Sequence, residues 1–221
     1  MPFAVVTGSN RGIGLALCAE LKSRGYTVLA ACRKSSGGLD ELGVEVAAGI
    51  DVAADEGIAA LVRAVGQRNI DLLINNAGIL LTDGPLGAVN VEGIRKQFEV
   101  NALAPLLVTQ ALRDRLGRGS KVALITSRMG SIDDNSSGGY YGYRMSKAAL
   151  NMAGKSLAVD LKDQGVSVII LHPGMVSTDM IGNQGNVEPP EAARGLLAQI
   201  DKLTPATTGT FWHANGTPLP W

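Results

Sequence analysis

Short runs of Val, Ile, Leu and Ala alternate along the chain with longer stretches in which apolar residues recur every three to four positions. The runs at 3–7, 26–32, 44–50, 72–75, 122–126 and 166–171 show little internal alternation, and 210–212 is a weaker seventh. Runs of this kind read as strands buried on both faces. The helix-period stretches are 13–24, 55–67, 91–115, 143–162 and 190–200. Strands separated by helices read as a parallel sheet, because parallel neighbours need a crossover between them. The predicted fold class is therefore α/β: a doubly wound parallel sheet, Rossmann-like, of about seven strands with helices on both faces. Gly25, Gly165 and Asn69 stand where helices should stop. Gly37-Gly38 and the stretch 136–139 read as short loops. The stretch 175–190 has no period and carries Gly182, Gly185 and Pro189-Pro190, which predicts a long loop of functional interest.

Composition narrows the class. With 221 residues and 46% hydrophobic positions, the chain has enough apolar material for a core, and a single domain over 1–221 is expected. Twenty Lys+Arg balance twenty Asp+Glu, so there is no basic footprint for nucleic acid and no polybasic membrane patch. Cys18 and Cys32 make no disulfide framework, and no group of ligating residues has metal spacing. His172 and His213 lie far apart, and His172 reads as a structural residue at a strand end. The start lacks a basic n-region, and no uncharged apolar run reaches the roughly 18 residues of a membrane span. A cytoplasmic location is expected.

Three features carry candidate chemistry. Thr7-Gly8-Ser9-Asn10-Arg11-Gly12-Ile13-Gly14 follows the first strand and opens the first helix. Glycines allow the backbone a close approach, and the helix start offers free N–H groups to a pyrophosphate. The spacing is neither the six-residue dinucleotide fingerprint nor a P-loop, so the loop alone is also compatible with an ordinary strand–helix turn. Tyr143 and Lys147 are four residues apart, on one helix face. Lowering a tyrosine pKa by about three units takes roughly 4 kcal/mol, and a neighbouring ammonium contributes in that direction. Ser127 closes the fifth strand, at the sheet edge where open α/β folds place ligands. Asn101 lies inside an apolar helical stretch, where its amide must find partners or cost about 1–3 kcal/mol. It reads equally as a site residue or as a satisfied core amide that bends the helix.

Other segments join these: Asn75-Asn76-Ala77-Gly78, Ser-Arg-Met-Gly-Ser at 127–131, Gly-Tyr-Tyr-Gly-Tyr-Arg-Met-Ser-Lys at 139–147 and Gly-Thr-Pro-Leu-Pro-Trp at 216–221. Together they resemble the short-chain dehydrogenase/reductase family, in the branch of the C-factor-like proteins and sniffer-type carbonyl reductases. The resemblance implies that Asn101, Ser127, Tyr143 and Lys147 form a catalytic tetrad. Tyr143 would be the general acid/base, and Ser127 would polarise the substrate oxygen. Lys147 would lower the Tyr143 pKa and hold the ribose, and Asn101 would anchor a relay water. It also implies cofactor contacts from Gly8, Asn10, Arg11, Gly12, Ile13 and Gly14, from Asn75, Ala77 and Gly78, and from Tyr143 and Lys147. Asp51 and Val52 would meet the adenine, and Pro173, Gly174, Val176 and Thr178 the nicotinamide amide. A homodimer or homotetramer through 91–115 and 143–162 is implied as well. Ser127 and Tyr143 are sixteen residues apart, wider than the family pattern, with the excess in 132–139.

The second strand ends on Cys32-Arg33 rather than on a carboxylate. Arg33 and Arg11 suit a 2′-phosphate, so NADP(H) is expected in preference to NAD(H). The expected walls of the substrate pocket, 129–143 and 173–190, contain no Lys or Arg. Arg128 is expected to point away by strand alternation, and Arg144 by helix rotation. Met129, Ile132, Met175, Val176, Met180 and Ile181 are the expected liners. The resulting reading is an NADP(H)-dependent oxidoreductase on a small neutral carbonyl or alcohol. A cofactor-binding regulatory or signalling protein with little turnover is the alternative. A lyase or epimerase on this scaffold would rest on fold analogy alone.

Overall fold

A computed structural model describes residues 1–221. Seven parallel strands, β1 (Phe3–Thr7), β2 (Thr27–Ala31), β3 (Glu45–Ala47), β4 (Ile70–Asn75), β5 (Leu116–Ile125), β6 (Ser167–His172) and β7 (Thr210–His213), form one sheet in the order β3-β2-β1-β4-β5-β6-β7. The doubly wound fold expected from the strand pattern is the one observed. Alternate strand residues feed two cores. Val5, Leu73, Leu124 and Ile170 pack on one face against α3 (Asp55–Val65), α5 (Ala104–Ala111) and α6 (Tyr141–Asp160). Val6, Ile74, Ala123 and Leu171 pack on the other against α1 (Gly12–Ser23), α2 (Gly37–Leu42) and α7 (Pro189–Lys202). Both faces are covered, so the strands read as unbroken apolar runs. No helix is long and apolar enough to cross a membrane.

The winding direction reverses between β1 and β4, which opens a crevice at their carboxyl ends. The elements around that crevice depart from the sequence pattern in several places. Gly37-Gly38 is not a loop but the first turn of α2, where the Ser36 hydroxyl accepts from Leu39 N at 3.4 Å. Helix α3 stops at Gly66, with φ of +64°, and not at Asn69. The single helix expected over 91–115 is divided into α4 (Val91–Phe98), a π-helical turn at Glu99–Leu103 and α5. Such turns insert one extra residue, and Asn101 occupies this one. The 175–190 stretch closes on itself: Ser177 N donates to Val187 O at 2.8 Å and Asn186 N to Met175 O at 2.9 Å. After β7 the chain turns back along the sheet edge, where Leu219 N donates to Phe211 O at 3.0 Å.

Candidate active site

A cleft of about 1570 Å³ runs along the carboxyl ends of the strands. Pockets for a single small molecule are commonly about 300–1,000 Å³, so there is room here for a dinucleotide and a second reactant.

One end is built on the glycine loop. Gly8 has φ of +64°, and a Cβ there would stand 2.7 Å from Ala77 Cα. A Cβ at Gly14 would stand 2.2 Å from Gly8 O. The glycines therefore let α1, β1 and β4 close on one another. Asn76 fastens the arrangement: its Nδ2 donates to Thr7 O and Gly8 O, each at 3.0 Å. Thr7 Oγ1 accepts from Asn76 N at 3.0 Å and from Ala77 N at 3.1 Å. Arg11 is the N-cap of α1 with no side-chain cap bond, and the first turn holds no acid. Its N–H groups are thus available to an anion. Gly8, Asn10, Arg11, Gly12, Ile13 and Gly14 all line the cleft.

Further along, Arg33, Asp51 and Val52 line the cleft, joined by Lys34. Lys34 is missing from the expected contacts, although its place beside Arg33 was a readable signal. Arg11 Nη1 meets Asp179 Oδ2 at 2.8 Å across the mouth. Ala77 and Gly78 line the cleft, but Asn75 does not. Its side chain is buried, and Nδ2 donates to Thr109 Oγ1 at 3.1 Å. The strand pleat sends Asn75 into one core and Asn76 to the glycine loop, so Asn76 is the residue the sequence reading passed over.

The other end gathers Ser127, Tyr143 and Lys147. Ser127 caps a 3₁₀ turn, Arg128–Gly130, and its Oγ accepts from Met129 N at 3.1 Å. Lys147 is buried on α6, one turn after Tyr143. Its Nζ donates to Ile125 O at 3.0 Å and lies 5.7 Å from the Tyr143 ring centroid. Burial pushes the Lys147 ammonium down to about 8. Burial also pushes the Tyr143 phenol up to about 12, while the nearby Ser127 hydroxyl works the other way. Lys147 is not among the groups that lower the Tyr143 phenol. The ammonium is turned toward a main-chain carbonyl instead.

Asn101 is fully buried and does not line the cleft. Its Oδ1 accepts from Ile79 N at 2.8 Å, and its Nδ2 donates to Ile79 O at 2.9 Å and Ser146 Oγ at 3.0 Å. It ties the chain after β4 to α6, just behind Gly78. A Cβ at Gly78 would lie 3.3 Å from Asn101 Oδ1 and 3.6 Å from Lys147 Nζ.

Pro173, Gly174, Val176 and Thr178 line the wall after β6, as do Met175, Met180 and Ile181, and Met129 lines the cleft from the turn after β5. Ile132 does not; it is 80% exposed. Arg128 and Arg144 do line the cleft, contrary to expectation. Strand alternation fails for Arg128 because Ser127 already begins a 3₁₀ turn. Both charges are engaged: Arg128 Nε bonds Asp134, and Arg144 Nη2 donates to Ser137 Oγ at 2.7 Å. His172, at the end of β6, also lines the cleft. Burial pushes it down to about 3, the His172 Nδ1 is a buried polar atom with no partner, and His213 stands edge-on at 4.8 Å.

Comparison with known proteins places this geometry. Residues 2–188 match the family described as short chain dehydrogenase. The chain is 41% identical over its whole length to the full-length 1-hydroxy-2-glutathionyl-2-methyl-3-butene dehydrogenase of Rhodococcus sp. strain AD45. The carbonyl reductase Sniffer of D. melanogaster superposes with a TM-score of 0.89 at 30% identity, covering 100% of this chain and 99% of its own. A carbonyl reductase from Pseudomonas aeruginosa in complex with NADP gives 0.87 at 30% identity, with 100% of both chains covered. The chain belongs to the short-chain dehydrogenase/reductase family, and it is similar to the sniffer-type carbonyl reductases.

Proposed function

We propose that the protein interconverts a carbonyl and an alcohol with NADP(H), as a single cofactor-binding domain spanning 1–221. The observation that carries this reading is the convergence of Ser127, Tyr143 and Lys147 in the same cleft as the glycine loop. The residues fit a nicotinamide dinucleotide. Free N–H groups at the start of α1 suit the pyrophosphate, Arg33 and Lys34 suit a 2′-phosphate while Arg11 is paired with Asp179 at the mouth, and Asp51 and Val52 suit the adenosine end. When bound, the cofactor supplies or accepts the hydride.

The chain's own residues manage the proton. At neutral pH the raised Tyr143 phenol keeps its proton, which is the state needed to donate to a carbonyl oxygen during reduction. The Ser127 hydroxyl polarises the same oxygen. Lys147 stays charged below about pH 8 and orients Tyr143 and the ribose. Asn101, from its π turn, holds the main chain at Ile79 beside Lys147; both of its amide N–H groups are committed to Ile79 and Ser146, so the side chain has no donor left for a relay water. Pro173, Gly174, Val176 and Thr178 hold the nicotinamide amide.

A small neutral substrate retains support, for a reason other than the one expected. The wall is not free of arginine; its arginines are already paired or tied to the loop. The regulatory alternative has less behind it, since a pure binder needs no phenol beside a buried ammonium. Leu103, Leu106 and Leu107 in and before α5, and Met152 and Val159 on α6, are exposed apolar residues on the two segments expected at a homodimer or homotetramer interface. We also propose a cytoplasmic location.

The test is NADPH consumption across a panel of neutral aldehydes and ketones, with Tyr143→Phe as the key variant. Turnover should fall by about 10²–10⁴-fold while NADPH affinity holds. Near-normal turnover in Tyr143→Phe would remove this residue from the proton path.

A further inference from the structure

The ending Gly216-Thr217-Pro218-Leu219-Pro220-Trp221 takes no part in the chemistry above, yet it reaches the substrate wall. The main-chain oxygen of Trp221 accepts three hydrogen bonds from one short turn. Ile132 N and Asp133 N donate at 3.0 Å each, and Ser131 Oγ donates at 3.1 Å. Ser131 is buried, and its Oγ also accepts from Asp134 N at 3.1 Å. Asp134 bonds Arg128, and both line the cleft next to Ser127.

The tail is itself anchored. Its main chain pairs with β7, and the Trp221 ring lies on the Phe211 ring with centroids 5.6 Å apart. Phe211 belongs to the core. A continuous path therefore runs from the core through Trp221 and the 131–134 turn to the wall beside Ser127. The turn needs such a hold. Beyond it, residues 135–140 are exposed, and Gly138 and Gly139 both have positive φ. At its other side, Gly130 is packed so tightly that a Cβ would lie 2.7 Å from the Lys147 main chain. One side of the turn is thus fixed by α6, and the other by the tail.

We propose that Trp221 and Ser131 are positioning residues for substrate recognition. The tail sets the 131–134 turn, and the turn sets the Asp134–Arg128 wall. The proposal rests on the carbonyl-reductase reading. The glycine loop and the Tyr143–Lys147 pair are held by other elements, so loosening the tail should alter substrate fit and leave cofactor binding and the chemical step in place.

The experiment compares Trp221→Ala, Trp221→Phe and Ser131→Ala with the unaltered full chain by two readouts. The first is amide hydrogen exchange at Ile132 and Asp133, which requires no turnover. Exchange should speed up by about tenfold in Trp221→Ala, as for loss of one hydrogen bond, and Trp221→Phe should restore protection. The second is steady-state kinetics on a neutral ketone. KM should rise by about five- to tenfold in Trp221→Ala and Ser131→Ala, with kcat and NADPH affinity within about twofold. Unprotected Ile132 and Asp133 amides in the unaltered chain would overturn the tether. A parallel fall in kcat and NADPH affinity would overturn the positioning role in favour of a purely structural one. Protected amides with no NADPH oxidation on any carbonyl would sink the functional reading, and the substrate role with it. Ser131→Ala removes one oxygen only, so it decides the matter should Trp221→Ala fail to fold.

Discussion

At the glycine loop, main chain lies on main chain. Gly14 leaves no room for a Cβ against Gly8 O, Gly8 leaves none against Ala77, and Asn76 ties both strands to the loop. At the substrate end, side chains meet across exposed segments, Arg128 with Asp134 and Arg144 with Ser137, and the buried Ser131 hydroxyl donates to a main-chain oxygen ninety positions away. The first end is rigid because any displacement meets backbone. The second is adjustable because the Arg128–Asp134 and Arg144–Ser137 contacts are exposed pairs, of the kind that contributes little to stability. On the proposed function, one cleft would thus join a fixed site for a constant reactant to a tunable site for a variable one.

The largest effect should come from breaking the fixed end. Gly14→Ala places a Cβ 2.2 Å from Gly8 O, so α1 or β1 must move. We expect a loss of about 3 kcal/mol and a fall in Tm of about 5–10 °C, together with loss of NADPH binding. Gly37→Ala is the control: nothing lies within 4 Å of its Cβ. Thermal melts of the two variants decide it. Equal melting temperatures would mean that the glycine loop is not the tight junction described.

This contrast also explains what could be read from sequence. The inner strands were legible because two covered faces force mostly apolar runs, while the edge strands β3 and β7, with one buried residue each, give a weaker signal. The glycine loop was legible because close backbone approach demands glycine at particular positions. Helix spacing put Tyr143 and Lys147 on one face of α6, while their proposed roles came from the family resemblance. Asn75 was misplaced because adjacent asparagines at a strand end differ only in which way the pleat turns them. Arg128 was misplaced because one residue of 3₁₀ turn cancels strand alternation. The tail's hold on the 131–134 turn leaves little local trace: two of its three bonds join main-chain groups, which every sequence carries, and only Ser131 contributes a side chain.

The next effect sharpens the fixed end. Arg33 lines the cleft with Lys34, at the proposed adenosine end, and Cys32 offers no carboxylate there. NADPH should bind about ten- to a hundredfold more tightly than NADH, as a charge-assisted contact of about 1.5–3 kcal/mol allows. Arg33→Asp should reverse the order, because the new carboxylate repels a 2′-phosphate and accepts from a free hydroxyl pair. Fluorescence titration with both cofactors measures this. Equal dissociation constants in the unaltered protein would remove the 2′-phosphate from the argument.

The smallest effect lies at the tunable end and concerns substrate charge. Arg128 faces the cleft with its charge answered by Asp134, whose carboxyl it holds below the usual carboxylate range. A neutral ketone meets this pair without disturbing it. A carboxylated analogue must compete with Asp134 for the guanidinium and approach Asp134 itself. The unaltered protein should therefore prefer the neutral compound. Asp134→Asn leaves the shape of the turn nearly intact and frees the Arg128 charge. It should shift kcat/KM toward the carboxylated analogue by about two- to fivefold, since exposed pairs are screened by solvent and salt. Added salt should shrink the shift, which a change in shape would not do. If the unaltered protein already prefers the anion, then Arg128 is free of Asp134 in solution. The substrate end would then be selective by charge rather than by fit.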